Sequence, residues 1–180
     1  GGQVMAINED GKILWRTDSH LDLGAAWNRP ALAQLNEDPA VDVVVPTTEK
    51  GLVALDGNRG WEICNTAEFT DGQVMTSPAV GDFNPHRPQH FAYLTDRGQL
   101  VVASGDSGRV WQLWGADNLG EVTYASPLYV AEAAGGLVVV ATGNGVTAFG
   151  ATSGRVVWAK ALQEDFFASP LGIDVNGDEI

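Results

Sequence analysis

Cysteine is almost absent: Cys64 stands alone among 180 residues, so no disulfide can close within this stretch. Stability has to come from stacking of the chain's own elements, which large repeat proteins achieve without cross-links. Basic residues are scarce as well, with 10 Lys and Arg against 23 Asp and Glu and a net charge of −13. A surface of that sign repels phosphate backbones and anionic lipid head groups, which sets nucleic acid and bare membrane aside as partners. Long apolar runs are missing. The longest aliphatic stretch, from Leu137 to Ala141, is far too short to cross a bilayer, so no membrane insertion is expected of this segment.

Catalytic signatures are missing too. The three histidines are His20, His86 and His90, and Pro85 and Pro88 break the helix that would put the last two on one face. A zinc site would need further ligands beside them. There is no Gly-x-Ser-x-Gly turn, no phosphate-binding Gly-Lys-Thr loop and no His-Glu-x-x-His helix. Cys64 has no His partner in sequence and reads as a packed, inert thiol. No residue is nominated as catalytic.

Glycine is plentiful, with 22 residues set among short β-rich apolar runs, which predicts many brief strands joined by tight turns. Self-similarity is the strongest signal. A small residue or Arg followed by Pro and an apolar stretch recurs at Pro30, Pro78, Pro127 and Pro170, spaced by 48, 49 and 43 residues. A Gly opening an apolar strand recurs at Gly2, Gly51, Gly98 and Gly145, spaced by 49, 47 and 47, with Thr48, Thr95 and Thr142 three residues before the last three. A further Gly starts the next strand at Gly11, Gly60, Gly108 and Gly154. Within one period, four strands are predicted, over 78–83, 90–94, 99–103 and 109–113 in the clearest unit. Four antiparallel strands per unit make a propeller blade. Helical solenoids are excluded because no stretch carries the required i, i+3, i+4 apolar pattern.

The predicted fold is therefore all-β, a β-propeller of four-stranded antiparallel blades, with three full blades and a partial blade at each end. A partial blade at 1–18 supplies the last two strands, full blades follow at 30–65, 78–114 and 126–160, and 168–180 holds the first strand of another. Closure needs further blades outside this segment, about seven or eight in total.

The third landmark follows a pattern of Ala, a turn, Gly and then Trp: Ala6 to Gly11 and Trp15, Ala103 to Gly108 and Trp111, Ala148 to Gly154 and Trp158. It resembles the tryptophan-docking repeat of the pyrroloquinoline-quinone-like propellers. The resemblance implies that Trp15, Trp111 and Trp158 pack between neighbouring blades, where a large flat side chain fills the wedge between radial sheets. The first full unit carries Cys64 in the aromatic slot with Trp61 moved earlier, which implies a weaker contact.

A second motif, Asp174-Val175-Asn176-Gly177-Asp178, resembles the calcium loop of integrin-type Phe-Gly/Gly-Ala-Pro repeats. Oxygen ligands at alternate positions of a tight loop converge on a hard cation, so the resemblance implies a structural calcium at Asp174, Asn176 and Asp178. The corresponding slots hold Gln34, Asn36, Asp38 and Asp42 in the first full unit, of which Asn36, Asp38 and Asp42 could bind weakly, and Asp82, Asn84, His86 and His90 in the second. In the third they hold Ala131, Ala133 and Gly135, which cannot bind. Asp and Asn in such loops also cap turns with no metal at all.

Quinoprotein dehydrogenases of the resembled family use a vicinal disulfide and a calcium held by Glu and Asn beside a catalytic Asp. The single Cys rules out that disulfide in this stretch and the acidic set has no match, so pyrroloquinoline quinone is not expected. Other members are periplasmic scaffold lipoproteins that help assemble outer-membrane proteins. The function expected is a non-enzymatic, extracytoplasmic module whose loops engage a protein or carbohydrate partner, with Trp27, Trp114, Tyr124, Phe166 and Phe167 either as contact candidates or packed on the neighbouring blade. A fragment of a quinone-dependent dehydrogenase and the sensory ectodomain of a larger signalling protein stay open as alternatives, as does the oligomeric state.

Overall fold

The computed structural model describes residues 2–172 apart from 27, 37, 84–88, 107–108, 122–123, 132–134 and 163–167. Fourteen strands are formed among the described residues, with one short 3-10 turn at Ala67–Phe69 and no α-helix. They make one two-stranded sheet, β1 (Met5–Ile7) with β2 (Ile13–Arg16), and three four-stranded sheets. The first of these contains β3 (Ala31–Ala33), β4 (Asp42–Pro46), β5 (Leu52–Leu55) and β6 (Glu62–Asn65). The second contains β7 (Ala79–Gly81), β8 (His90–Leu94), β9 (Leu100–Asp106) and β10 (Arg109–Ala116). The third contains β11 (Leu128–Val130), β12 (Leu137–Thr142), β13 (Gly145–Gly150) and β14 (Val156–Ala161). Each is an antiparallel meander with its strands in sequence order, so every sheet is one blade. The end piece beyond Gly172 lies outside the described residues.

Middle strands are buried on both faces, and alternate residues feed different cores because side chains alternate across a strand. In β8, Phe91 and Tyr93 join Leu35, Val44, Leu52 and Ala54 of the preceding blade, while Ala92 and Leu94 join Val138, Val140 and Phe149 of the following one. β5 repeats the arrangement: Val53 and Leu55 pack with Trp15 and Leu23, while Leu52 and Ala54 face forward. The sheets therefore stack face to face, and each interface is an apolar core in which a fully buried Leu, Val or Phe contributes about 1.5–3 kcal/mol. This explains why β4, β8 and β12 read as near-continuous apolar runs rather than alternating ones.

A further tie repeats at every interface. The segment linking one blade to the next lies on the hairpin between that next blade's second and third strands: Thr48 N donates to Ala25 O at 3.2 Å, Asp96 N to Gln73 O at 2.9 Å, and Gly143 N to Glu121 O at 2.8 Å. Just before each acceptor stands a Gly at positive φ, +62° at Gly24, +93° at Gly72 and +94° at Gly120. A Cβ at Gly24 would come within 2.3 Å of Thr48 Oγ1, and one at Gly72 within 2.3 Å of Asp96 Oδ1. The 48-residue spacing of these three glycines is thus a repeat marker with a steric cause, and the sequence reading overlooked it.

Candidate functional site: the channel mouth and the blade contacts

The first strands of the blades, β3, β7 and β11, lie beside one another and so line the propeller axis. Each is preceded by a Pro whose missing N–H removes a donor where a strand begins. The residue before that Pro is what joins the blades. Arg29 N donates to Ser77 Oγ at 3.1 Å, Ser77 N to Ser126 Oγ at 2.9 Å, and Ser126 N to Ser169 Oγ at 2.9 Å. One backbone N–H per blade thus lands on the hydroxyl of the equivalent residue in the next, forming a ladder around the axis. At its first step Ser77 Oγ also donates to Asn28 Oδ1 at 2.8 Å, and Asn28 Nδ2 donates to Met75 O at 3.0 Å. A cavity of about 520 Å³ opens here, lined by Asn28, Arg29, Pro30, Ser77, Tyr124, Ser126 and Ser169.

The tryptophan slot is set by a bulge. In every pairing of third with fourth strand the register skips one residue of the fourth strand, and the residues skipped are Leu14, Ile63, Leu113 and Val157. The residues that follow them are Trp15, Cys64, Trp114 and Trp158. Trp15 is only 8% exposed. Its Nε1 donates to Gly57 O at 2.7 Å, and a Cβ on Gly60 would sit 2.4 Å from its ring. Trp114 reproduces this in the next available interface: Nε1 donates to Ala151 O at 2.7 Å, a Cβ on Gly154 would lie 2.7 Å from the ring, and Phe149 packs on it with centroids 5.8 Å apart.

The contact expected of Trp111 is therefore made by Trp114, one of the aromatics for which partner contact and packing on the neighbouring blade were both open. The physical reason is length. The β9–β10 hairpin is longer than its counterparts, so the bulge falls after Gln112 and Trp111 pairs instead with Ser104. Trp158 occupies the slot of the last described blade and is 44% exposed, on a strand that is exposed throughout.

On the opposite face, the loop between β3 and β4 meets the turn between β5 and β6. Asp42 is fully buried there, and its carboxylate accepts Leu35 N at 2.9 Å, Gly57 N at 3.1 Å and Asn36 Nδ2 at 3.2 Å. Asn36 Oδ1 accepts Asp38 N at 3.0 Å, and Asp38 accepts Ala40 N and Asn58 Nδ2 at 2.7 and 3.0 Å. Burial pushes the Asp42 carboxyl up, helped by the Asp38 and Asp56 charges and opposed by the two backbone N–H donors.

Residues 97–178 match the family model PQQ_2, described as outer membrane protein assembly factor BamB. The fold matches the crystal structure of BamB from Moraxella catarrhalis with a TM-score of 0.68 at 19% identity, covering 96% of this chain and 47% of that one. Residues 97–178 therefore resemble PQQ-like repeats, and the chain as a whole has the β-propeller fold. Quinohemoprotein alcohol dehydrogenase from Comamonas testosteroni is similar in fold at a TM-score of 0.62 and 17% identity, over 88% of this chain and 32% of that one. Rhamnogalacturonan lyase YesW is similar at 0.61 and 13%, over 87% and 35%. Likeness at such identities is one of fold. No curated protein matches the chain in sequence. The chain spans less than half the length of each of these solved chains.

Among the other residues singled out in the sequence, Tyr124 is 61% exposed and lies at the channel mouth. Trp27, Phe166, Phe167, Asn84, His86, Asp174, Asn176 and Asp178 lie outside the described residues. Asn36, Asp38 and Asp42 are brought together, with Asp56 joining them from the neighbouring turn. Asn28, Arg29, Ser77, Ser126 and Ser169 belong to the channel mouth and went unassigned, although the residue before each repeated Pro was in plain view. Cys64 is partly buried, and burial pushes its thiol up to about 11, with Glu62 and Asp42 adding to the shift. The thiolate fraction at pH 8 then falls roughly 100-fold below that of an unperturbed cysteine. Titration with a disulfide reagent at pH 8 is expected to be slow by that factor in the folded protein and immediate in denaturant. A folded-state rate like that of free cysteine would contradict this packing.

Proposed function

We propose that this PQQ-like segment belongs to a non-enzymatic propeller scaffold that works outside the cytoplasm and holds a partner protein through its channel mouth and adjoining loops. The observation that carries the reading is the match of residues 97–178 to the model described as an outer membrane protein assembly factor. It is supported by a layout in which the large aromatic groups Trp15 and Trp114 go to blade contacts while Tyr124 is left at an open polar mouth. Cross-linking from position 124 of the intact protein in its own cells is expected to capture one recurring polypeptide. Turnover of alcohols or sugars by the intact protein with added pyrroloquinoline quinone and calcium, read with an electron-accepting dye, would overturn the reading.

A structural calcium is proposed on the motif Asp174-Val175-Asn176-Gly177-Asp178, where alternate oxygen donors suit a hard cation. The loop of Asn36 and Asp38 spends its oxygens on N–H groups instead. Calorimetric titration is expected to give one calcium per chain, abolished by Asp174→Asn and unchanged by Asp38→Asn. The absence of binding heat, or loss of binding in Asp38→Asn alone, would refute this placement.

A further inference from the structure

The hydrogen bonds at the channel mouth leave an excess of donors. Asn28 and Ser77 are used up by each other and by the backbone: Asn28 Oδ1 accepts Arg29 N and the Ser77 hydroxyl, and Asn28 Nδ2 is held by Met75 O. They form the fixed wall of the cavity. Ser126 and Ser169 each accept one backbone N–H, from Ser77 and Ser126. Among the described residues no acceptor takes the proton of either hydroxyl. Arg29 is exposed, lines the same cavity, and has no carboxylate within ion-pair distance among the described residues. Arg29, Ser126 and Ser169 thus line one opening together with Tyr124, and between them they carry a guanidinium with five N–H donors and two hydroxyl protons.

A ligand for such a lining must bring acceptors, and the guanidinium favours an anionic, planar one that it can grip with two parallel bonds. The protein's net charge of −13 then limits how much negative charge the ligand can carry, since repulsion grows with that charge. A carboxylate monoanion fits better than a phosphate dianion, and a single acidic group fits better than an acidic run. Neutral or basic neighbours of that group would be welcome on the surrounding acidic surface. The exposed face of Tyr124 gives the ligand's aliphatic stem a surface to lie on.

We propose that the channel mouth is a carboxylate-binding site that receives one acidic side chain of a partner polypeptide, with Arg29 as counter-charge and the Ser126 and Ser169 hydroxyls as neutral donors. The occupant's being a polypeptide rests on the scaffold reading above. The carboxylate preference rests on the lining alone.

The test uses the intact protein and three probes: the capped peptide Gly-Lys-Glu-Lys-Gly, the same peptide with Gln for Glu, and glucuronate. Calorimetry or chemical-shift titration is expected to show the Glu peptide binding one to one and the Gln peptide at least tenfold weaker. Arg29→Gln should lower affinity for the Glu peptide at least tenfold and leave the Gln peptide unaffected. Because only the backbone N of Arg29 serves the blade ladder, this variant should keep the wild-type circular dichroism and melting temperature. Ser126→Ala should weaken the Glu peptide a few-fold. Equal binding of the two peptides, or an unchanged affinity in Arg29→Gln, overturns the site. Tighter binding of glucuronate than of the Glu peptide overturns the polypeptide occupant. Cross-linking from position 124 separates this from the scaffold reading: a partner captured equally by wild type and Arg29→Gln leaves the scaffold standing and sinks the carboxylate site.

Discussion

Trp114→Ala is expected to destabilise the protein by about 3 kcal/mol, at the lower end of the cost of truncating a large aromatic, because the ring is only partly buried. The loss combines three contacts that no other side chain at this position would supply. Phe149 loses its stacking partner, Gly154 faces an empty wedge, and Ala151 O, on a residue with no exposure, loses its indole N–H. Trp114→Phe should keep most of the apolar packing and give up the hydrogen bond, costing about 1 kcal/mol. Trp61→Ala provides the contrast. That ring is 64% exposed with Arg59 above it at 5.0 Å, and its removal should change stability by less than about 0.5 kcal/mol. Urea unfolding followed by intrinsic fluorescence and by far-ultraviolet circular dichroism measures all three. The decisive comparison is with Trp111→Ala: if that variant loses more stability than Trp114→Ala, the slot assignment fails.

The same pair of residues shows what the sequence discloses and what it withholds. The four-stranded antiparallel blade was legible because turn glycines, strand-opening prolines and apolar runs are each fixed by local sterics, and they recur once per blade. The predicted strands over 78–83 and 109–113 became Ala79–Gly81 and Arg109–Ala116, so element type held while ends moved. The slot in the second blade was not legible from motif spacing. Trp111 stands three residues after Gly108 and Trp114 six, whereas Trp15, Cys64 and Trp158 each stand four after their Gly. That broken interval was the available sign that the hairpin had lengthened and that neither Trp could be placed by counting. A bulge depends on pairing between strands, and pairing is not written in one strand alone.

The channel mouth was hidden for a different reason. Ser77, Ser126 and Ser169 were visible as repeat markers, but their role as acceptors for the previous blade's N–H involves partners 43 to 49 residues away. Only radial closure brings them within 3 Å or so. Arg29 stands in that series without a hydroxyl and puts a charged residue into the lining of the opening.

Asp42→Ala is expected to cost about 2–4 kcal/mol, because two backbone donors, Leu35 N and Gly57 N, would be left without their acceptor in a buried place. Asp42→Asn keeps an acceptor for only one of the two N–H groups, which bind different carboxylate oxygens, and should cost less than Asp42→Ala at neutral pH; its pH dependence is the sharper test. The Asp42 carboxyl is raised in the folded state above its ordinary value of 3.8, chiefly by burial, with the Asp38 and Asp56 charges adding to it. The folded protein therefore binds this proton more tightly than the unfolded chain does. The stability contributed by that proton is complete below pH of about 3.8 and is lost as pH rises through the folded value. Measured against wild type at each pH, Asp42→Asn should compare worst at the acid end and improve steadily toward neutrality, since asparagine has no proton to lose. Both proteins share every other titrating group, so the difference curve isolates this site. A difference that is flat from acid to neutral pH would show that the two N–H donors cancel burial, and one that moves the other way that they outweigh it and that Asp42 is stabilised as a charge; either result overturns the raised carboxyl.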